Sequence, residues 1–176
     1  EIPVSVKTRI GFYEPVTESW IKELEKVNPF WIGIHGRTLK QMYRGAADYL
    51  ELEKAVEITD IPVLLNGDLQ DRNHAETRMK ELNAAGSLIG RASLGKPWIF
   101  GGSLPEDNKS AIEKILYIMK EHAELFDKYN DEKVFVQMRK HFGWYTKAIA
   151  EYFNTDEPYL KQLTGFESPK EMRIGL

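Results

Sequence analysis

Cysteine is absent from this sequence, and its absence excludes several kinds of chemistry at once. Without thiols the chain can form no disulfide, no thiolate metal site and no cysteine-based catalytic centre. The sequence also lacks an apolar run long enough to span a bilayer, and its first residues lack the basic and apolar regions of a secretory signal. We therefore expect a protein of the cytoplasm that uses neither a membrane nor a metal.

A strong excess of charge of either sign is also missing. The formal net charge is −3, so a nucleic-acid partner can be argued only from a local basic patch. What the sequence does contain is typical of a folded globular protein. With 176 residues, of which 42% are hydrophobic and 29% charged, the chain can bury a core in one or two domains.

One pattern repeats through the first part of the chain. An apolar run ends in glycine and polar residues, and a segment of helical periodicity follows it. The apolar runs are 2–12, 30–38, 61–68 and 85–95, and the helical segments between them are 17–27, 48–58 and 71–82. Apolar strands that alternate with amphipathic helices indicate a parallel sheet covered by helices. The sequence predicts an α/β fold of four βα units, with Asp71 as the N-cap of the third helix.

After residue 100 the strand pattern stops. Segments 104–129 and 132–153 have apolar residues at three- and four-residue spacing, and shorter helical segments are predicted at 155–166 and 168–176. Gly, Ser, Pro and Asp cluster within 100–108, as they do in loops between domains. We therefore predict two domains, 1–102 and 103–176, the second all-α.

Polar side chains follow each predicted strand at its C-terminal end. In parallel α/β folds these ends converge on one mouth, which carries the chemistry. The polar residues are Lys7, Arg9, His35, Arg37, Asn66, Asp68 and Arg91. The segment from His35 to Arg44, which includes Tyr43, is therefore predicted to form one wall of a shared site.

Three lysines, Lys133, Lys140 and Lys147, recur at seven-residue spacing. On a helix from 132 to 149 they form one stripe with Arg139 beside it, and such a row can follow the phosphates of a nucleic acid. The same spacing also occurs on the solvent-facing side of an ordinary amphipathic helix. Both interpretations of the stripe remain open.

Five segments together resemble the flavin-dependent tRNA-dihydrouridine synthases, and most of all their bacterial B-type branch. They are VSVKTRIGF, IHGRTLKQMYRGAADY, IPVLLNGDL, LIGRASLGKPWIF and MRKHFGWYTKAI, in that order along the chain. The combination is more specific than any single segment, because a flavin phosphate loop recurs in many barrels. This sequence has GRASLGKPW where relatives often have GRGALGNPW, so Ala92 and Lys96 could alter that loop.

The resemblance implies a (β/α)8 TIM barrel followed by a small all-α domain. On this comparison residues 1–102 are the second half of an FMN-binding barrel, and residues 103–176 are a helical tRNA-binding domain. The first half of the barrel, with the loop that holds the family's catalytic cysteine, is expected to precede Glu1. This chain then contains no catalytic residue and is expected to be inactive alone. The alternative is that the four βα units form a complete domain by pairing with another chain.

The implied activity is the reduction of specific uridines in tRNA to 5,6-dihydrouridine, with FMN as the cofactor and NADPH as a transient reductant. The implied cofactor-binding residues are Lys7, His35, Asn66, Gly67, Asp68, Gly90 and Arg91. The implied substrate and tRNA residues are Arg9, Arg37, Tyr43, Lys133, Arg139, Lys140 and Lys147. Two other functions stay open, a non-catalytic RNA-binding remnant and another FMN barrel oxidoreductase that acts on a free pyrimidine.

Overall fold

A computed structural model describes residues 2–130 and 137–153. The chain divides into two compact units, Glu1–Ala92 and Ser93–Leu176. This division comes earlier than the position near residue 102 that the composition predicts. The physical reason is that Trp98 and Leu104, which precede the long helices, already pack against the apolar core of the second unit. The assignment of 1–102 and 103–176 as the functional domains stays a prediction.

The first unit is a parallel four-stranded sheet whose strands alternate with helices. Its elements are β1 (Val6–Arg9), α1 (Thr17–Glu25), β2 (Ile32–His35), α2 (Tyr49–Glu57), β3 (Val63–Asn66), α3 (Arg72–Glu81) and β4 (Gly86–Leu88). The strands lie side by side in chain order, and every neighbouring pair is parallel. The predicted α/β fold of four βα units is confirmed, and this strand order is that of part of a TIM barrel.

Side-chain caps fix where two of these helices begin. The carboxylate of Asp48 accepts hydrogen bonds from the amides of Leu50 and Glu51, both at 3.1 Å. The carboxylate of Asp71 accepts from the amide of His74 at 2.7 Å, which confirms Asp71 as the predicted N-cap. Both caps bond amides at the start of a helix that would otherwise lack partners, so each ends the loop that precedes it at a defined residue.

The two faces of the sheet differ in what covers them. One face presents Ile32, Ile34, Val63 and Leu65, which are buried together with apolar residues of α1 and α2. Because side chains alternate along a strand, the intervening residues lie on the opposite face. There the register aligns two rows, Lys7, Gly33, Leu64 and Gly86 in the first and Arg9, His35, Asn66 and Leu88 in the second. We call this second surface the open face.

In its described residues the second unit contains two short 3-10 helices and two long helices. The 3-10 helices are Arg91–Ser93, which spans the division, and Pro97–Phe100, and the long helices are α4 (Asn108–Tyr129) and α5 (Met138–Phe153). Their buried core consists of Ile115, Met119, Ala123, Met138, Phe142, Tyr145 and Ile149. The predicted helical segments 155–166 and 168–176 lie outside the described residues. Within the described part of the chain, no helix is both long and apolar enough to cross a membrane.

Candidate functional site at the carboxyl ends of the strands

Three of the polar residues predicted for the site stand next to each other on adjacent strands. Arg9, His35 and Asn66 are aligned in register at the carboxyl ends of β1, β2 and β3. The guanidinium of Arg9 donates from Nη1 to the carbonyl oxygen of Thr38 at 3.0 Å, and Asn66 donates from Nδ2 to that of Leu88 at 2.6 Å. The row therefore joins strand ends and loops while it presents polar groups on the open face. Lys7 lies one row further from the carboxyl ends and is exposed.

A cluster of ion pairs connects the loops after β2, β3 and β4. Asp68 accepts from Arg37 Nη2 at 2.6 Å and from the amide of Ala47 at 2.8 Å, both through Oδ2. Its other oxygen, Oδ1, accepts from Arg91 Nη2 at 3.1 Å. Arg37 also donates from the same Nη2 to the carbonyl oxygen of Gly45 at 2.6 Å. One carboxylate thus holds three loops in a fixed arrangement.

Arg37 is held by loop contacts in this structure, and its expected role toward the substrate stays a prediction. The residue is 2% exposed, and its guanidinium lies inside the loop rather than on the surface that a substrate could reach. Its hydrogen bonds to Gly45 and Asp68 hold the wall of the site in place. Asp68, expected to contact the cofactor, likewise directs its carboxylate to two arginines. In this structure Arg37 and Asp68 position other groups.

The protonation states of the cluster follow from its charges. Partial burial alone would raise the pKa of Asp68, but the hydrogen bond from Arg37, the amide of Ala47 and the charges of Arg37 and Arg91 hold that pKa below its ordinary value. Asp68 is therefore ionised at neutral pH. Its negative charge keeps both guanidiniums in place and leaves the three groups with a net charge of about +1.

His35 is neutral at the same pH. Burial lowers the pKa of its imidazole to about 4, and the charges of Arg9, Arg37 and Lys7 act in the same direction. Arg37 Nη1 lies 3.4 Å from His35 Nε2, and because a guanidinium can only donate, Nε2 is the acceptor at this contact. A neutral ring in this position can exchange hydrogen bonds with a ligand but is a poor proton source at pH 7.

The predicted substrate residue Tyr43 lies against the predicted phosphate residue Arg91. The guanidinium carbon of Arg91 is 4.9 Å from the centroid of the Tyr43 ring, within the range of a cation–π contact. Tyr43 remains largely exposed. The two side chains come from loops that are far apart in sequence, so the structure brings together two residues that the sequence assigned to different ligands.

Gly67 and Tyr49 form a support that the sequence did not indicate. Gly67 has φ of +126°, and a Cβ at this position would overlap the Cβ of Ala47 and the ring of His35. The hydroxyl of Tyr49 donates to the carbonyl oxygen of Gly67 at 2.8 Å, and burial raises the pKa of this phenol. The glycine therefore lets the loop after β3 pass close to His35, and the hydrogen bond from Tyr49 fixes the position of that loop.

A family model described as "Dihydrouridine synthase (Dus)" matches residues 1–174. The chain belongs to this family. The tRNA-dihydrouridine synthase B of Pseudomonas syringae pv. tomato is 33% identical over 163 residues, which cover 85% of this chain and 47% of that protein. A probable tRNA-dihydrouridine synthase of Rickettsia bellii is 32% identical over 158 residues, covering 85% of this chain and 48% of the relative. Thus the chain spans about half the length of the curated relatives that it matches.

The B-type resemblance seen in the sequence agrees with these comparisons. Besides the Pseudomonas protein, the tRNA-dihydrouridine synthase B of Vibrio vulnificus is 31% identical over 186 residues, which cover 95% of this chain and 56% of that protein. The match extends through both compact units. The dihydrouridine synthase family therefore accounts for the α/β unit and for the helices that follow it.

The strand ends of this chain fit an anionic ligand that carries a phosphate. Lys7, Arg9 and Arg37 place positive charge around His35, and Arg37 and Arg91 pair with Asp68. Gly90 is exposed beside Arg91, and a Cβ there would meet nothing within 4 Å, so a ligand can approach its backbone closely. These are the features by which barrel loops hold phosphate groups. In the described residues no group of three or more His, Cys, Asp or Glu could hold a metal ion.

The basic stripe of the helical unit is described only in part. Lys140 and Lys147 lie on α5 and are exposed, whereas Arg139 is half-buried. The ammonium of Lys147 lies 3.6 Å from a carboxylate oxygen of Glu151, one turn further along the helix. Lys133, the first lysine of the stripe, lies outside the described residues. The role of these residues in tRNA binding stays a prediction.

Proposed function

We propose that this chain forms part of the site at which uridines in tRNA are reduced to 5,6-dihydrouridine, with FMN as the cofactor and NADPH as the reductant. The observation that carries the proposal is the in-register row of Arg9, His35 and Asn66 on the open face, beside the cationic cluster at Arg91, in a chain of the dihydrouridine synthase family. The names of the relatives support tRNA as the substrate.

The FMN phosphate is assigned to the loops after β3 and β4. Arg91 supplies a charge-assisted hydrogen bond, and Gly67 and Gly90 lie in the same two loops, where the absence of a side chain lets an anion approach the backbone. Asp68 holds Arg91 in place, and the buried Arg37 holds Asp68. FMN, when bound, supplies the hydride that reduces the uracil ring.

The isoalloxazine is assigned to the open face, between Lys7 and His35. The ammonium of Lys7 provides a fixed positive charge where negative charge accumulates during the reaction, and this contribution is electrostatic. The neutral imidazole of His35 provides a hydrogen bond without adding charge. Asn66 holds β3 against β4 by donating to the carbonyl oxygen of Leu88.

Arg9 and Tyr43 are assigned to the target uracil. An arginine has five N–H donors, and Arg9 uses Nη1 for Thr38, so other donors of the fork can bond a uracil carbonyl oxygen. Tyr43 is exposed at the same mouth and can cover the base or its edge. A uracil inside a folded tRNA reaches these groups only if it leaves its stack.

The reduction also requires a proton at C5 of the uracil, and the described residues of the site give no suited acid. His35 is neutral because its pKa is about 4, and the chain has no cysteine. As the family resemblance implies, we propose that the donor is a cysteine on the other half of the barrel, which pairs with β1 and β4 and covers the open face. This half supplies the acid, whereas the present chain supplies cations and donors.

Flavin retention tests the assignment. In the intact protein, Arg91→Ala and Lys7→Ala are each expected to lower the ratio of bound FMN to protein, measured from the visible absorbance after gel filtration. Arg72→Ala is the matched control, because Arg72 is exposed on α3 and pairs with Glu76 one turn away. Equal flavin content in all three variants and the wild type contradicts the assigned phosphate and ring sites.

A further inference from the structure

An exposed aromatic pair beside the strand ends has no role in the proposed reaction. Phe12 and Tyr13 follow β1 and are 50% and 71% exposed. Their rings meet edge to face with centroids 4.6 Å apart, and the ammonium of Lys40 lies 5.4 Å from the centroid of each. We call these three residues the aromatic platform. Apolar surface left exposed in this way commonly marks an interaction site.

Main-chain hydrogen bonds hold the platform in one conformation. The amide of Leu39 donates to the carbonyl oxygen of Gly11 at 2.9 Å, and that of Lys40 donates to the carbonyl oxygen of Phe12 at 3.0 Å. These bonds join the loop after β1 to the loop after β2. Within the first loop, Gly11 pairs with Pro15, and a Cβ at Gly11 would overlap the carbonyl oxygen of Glu14. The platform is preorganised, which lowers the entropic cost of binding a partner.

The platform continues into the candidate site. A cavity of about 590 Å³ is lined by Phe12 and Leu39 together with Lys7 and Arg9, and also by Thr8, Val16 and Trp20. Volumes of this size are common for ligand sites. The cavity and the platform combine aromatic and apolar surface with three cations, Lys7, Arg9 and Lys40, and the carboxylate of Glu14 is the nearby acidic group in the loop itself.

Aromatic rings interleaved with cations match the chemistry of single-stranded RNA. Unpaired bases stack on aromatic side chains whatever their sequence, and lysines neutralise the adjoining phosphates. We propose that the aromatic platform binds an unpaired base of the RNA substrate that neighbours the nucleotide held at the strand ends. The base stacks on Tyr13, which Phe12 supports from the side, and Lys40 contacts the phosphate. This inference rests on the proposed function only in taking tRNA as the RNA.

RNA binding by the intact protein tests the platform without any need for turnover. The probes are a tRNA transcript and a short labelled oligouridylate, titrated by fluorescence anisotropy at several salt concentrations. Loss of one base stack corresponds to roughly 5- to 150-fold weaker binding, which we expect for Tyr13→Ala. Tyr13→Phe, which keeps the ring, is expected to bind like the wild type. Phe30→Ala is the matched control, because Phe30 is 65% exposed at the amino-terminal side of β2.

Salt dependence separates the two contributions. Lys40→Ala is expected to reduce the slope of log Kd against log salt by about one, as for the loss of one phosphate contact. Tyr13→Ala is expected to weaken binding with an unchanged slope, because stacking releases no counterion. Lys80→Ala, an exposed lysine in α3, controls for a general loss of positive charge. Circular dichroism checks folding, and Tyr13→Leu replaces Tyr13→Ala if the alanine variant is unfolded.

The outcomes distinguish the platform from the proposed function. If Tyr13→Ala binds both RNAs as tightly as Phe30→Ala does, the role of the platform in RNA binding is refuted, even when the protein forms dihydrouridine. If Tyr13→Ala weakens RNA binding in a protein that forms no dihydrouridine, the platform stands and the proposed function fails. If Tyr13→Ala loses NADPH binding while its RNA binding is unchanged, the platform binds a dinucleotide and the inference is overturned.

Discussion

The buried ion pair between Arg37 and Asp68 makes a quantitative prediction. Asp68→Asn removes the negative charge from a guanidinium whose side chain is 3% exposed, and it weakens hydrogen bonds that fix three loops. Breaking a buried pair by removing one partner costs roughly 3–5 kcal/mol of unfolding free energy. Asp68 itself is 31% exposed, and asparagine retains one oxygen acceptor. We therefore expect a smaller loss of about 2–3 kcal/mol.

Urea denaturation of the intact protein, followed by circular dichroism, measures this loss. The control is Glu76→Gln, which breaks the pair between Arg72 and Glu76, whose side chains are 62% and 46% exposed. Exposed pairs of this kind contribute about 0–1 kcal/mol. The control also converts a carboxylate to an amide, so the comparison isolates burial. The reasoning is refuted if Asp68→Asn costs no more than Glu76→Gln.

A pH titration tests the same pair independently. The pKa of Asp68 is below its ordinary value of 3.8, so the folded state binds this proton less readily than the unfolded state does. The stabilisation by Asp68 is therefore complete above the ordinary value and is lost as the pH falls through the folded pKa. The difference between wild type and Asp68→Asn should shrink over this acidic range. A constant difference contradicts the assigned charge.

Three further predictions concern other parts of the molecule. Folding lowers the pKa of His35 from 6.5 to about 4, so the wild-type protein loses stability as the pH falls through this interval. The variant His35→Gln should lose less stability over the same interval in urea denaturation, and an unchanged pH profile contradicts the assignment. Gly95→Ala should cost at least about 1–2 kcal/mol, because Gly95 has φ of +70° and a Cβ there would overlap the backbone of Trp144. Gly101→Ala, with open space around it, should be nearly neutral in the same denaturation assay. Residues 1–176 expressed alone should self-associate and retain little FMN, because β1 and β4 are edge strands of the described sheet. A stable monomer in light scattering that binds flavin would contradict this.

The alternation of strands and helices could be predicted because it depends on local patterns. The apolar runs fixed the four strands, and Asp71 marked a helix start that the structure confirms. The polar strand ends also lie together as expected, since parallel strands bring their carboxyl ends to one edge. These inferences needed only the periodicity of the chain and the geometry of a parallel sheet.

The burial of Arg37 could not be predicted in this way. Strand alternation places residue 37 on the same face as His35, but β2 ends at His35 and the chain then turns. Acceptors at Gly45 and Asp68, which come later in the sequence, draw the guanidinium inside the loop. The same limit applies to Tyr49, whose partner Gly67 follows the next strand. Such contacts depend on how separate loops meet.

We propose that the open face belongs to a site for uridine in tRNA. The most direct measurement is mass spectrometry of nucleosides from a tRNA transcript incubated with the intact protein, FMN and NADPH, with free uridine as a parallel substrate. We predict dihydrouridine in the tRNA alone, at least about tenfold less product with Arg9→Ala, and wild-type yield with Lys80→Ala. Reduction of free uridine without reduction of tRNA, or full activity of Arg9→Ala, would contradict the account.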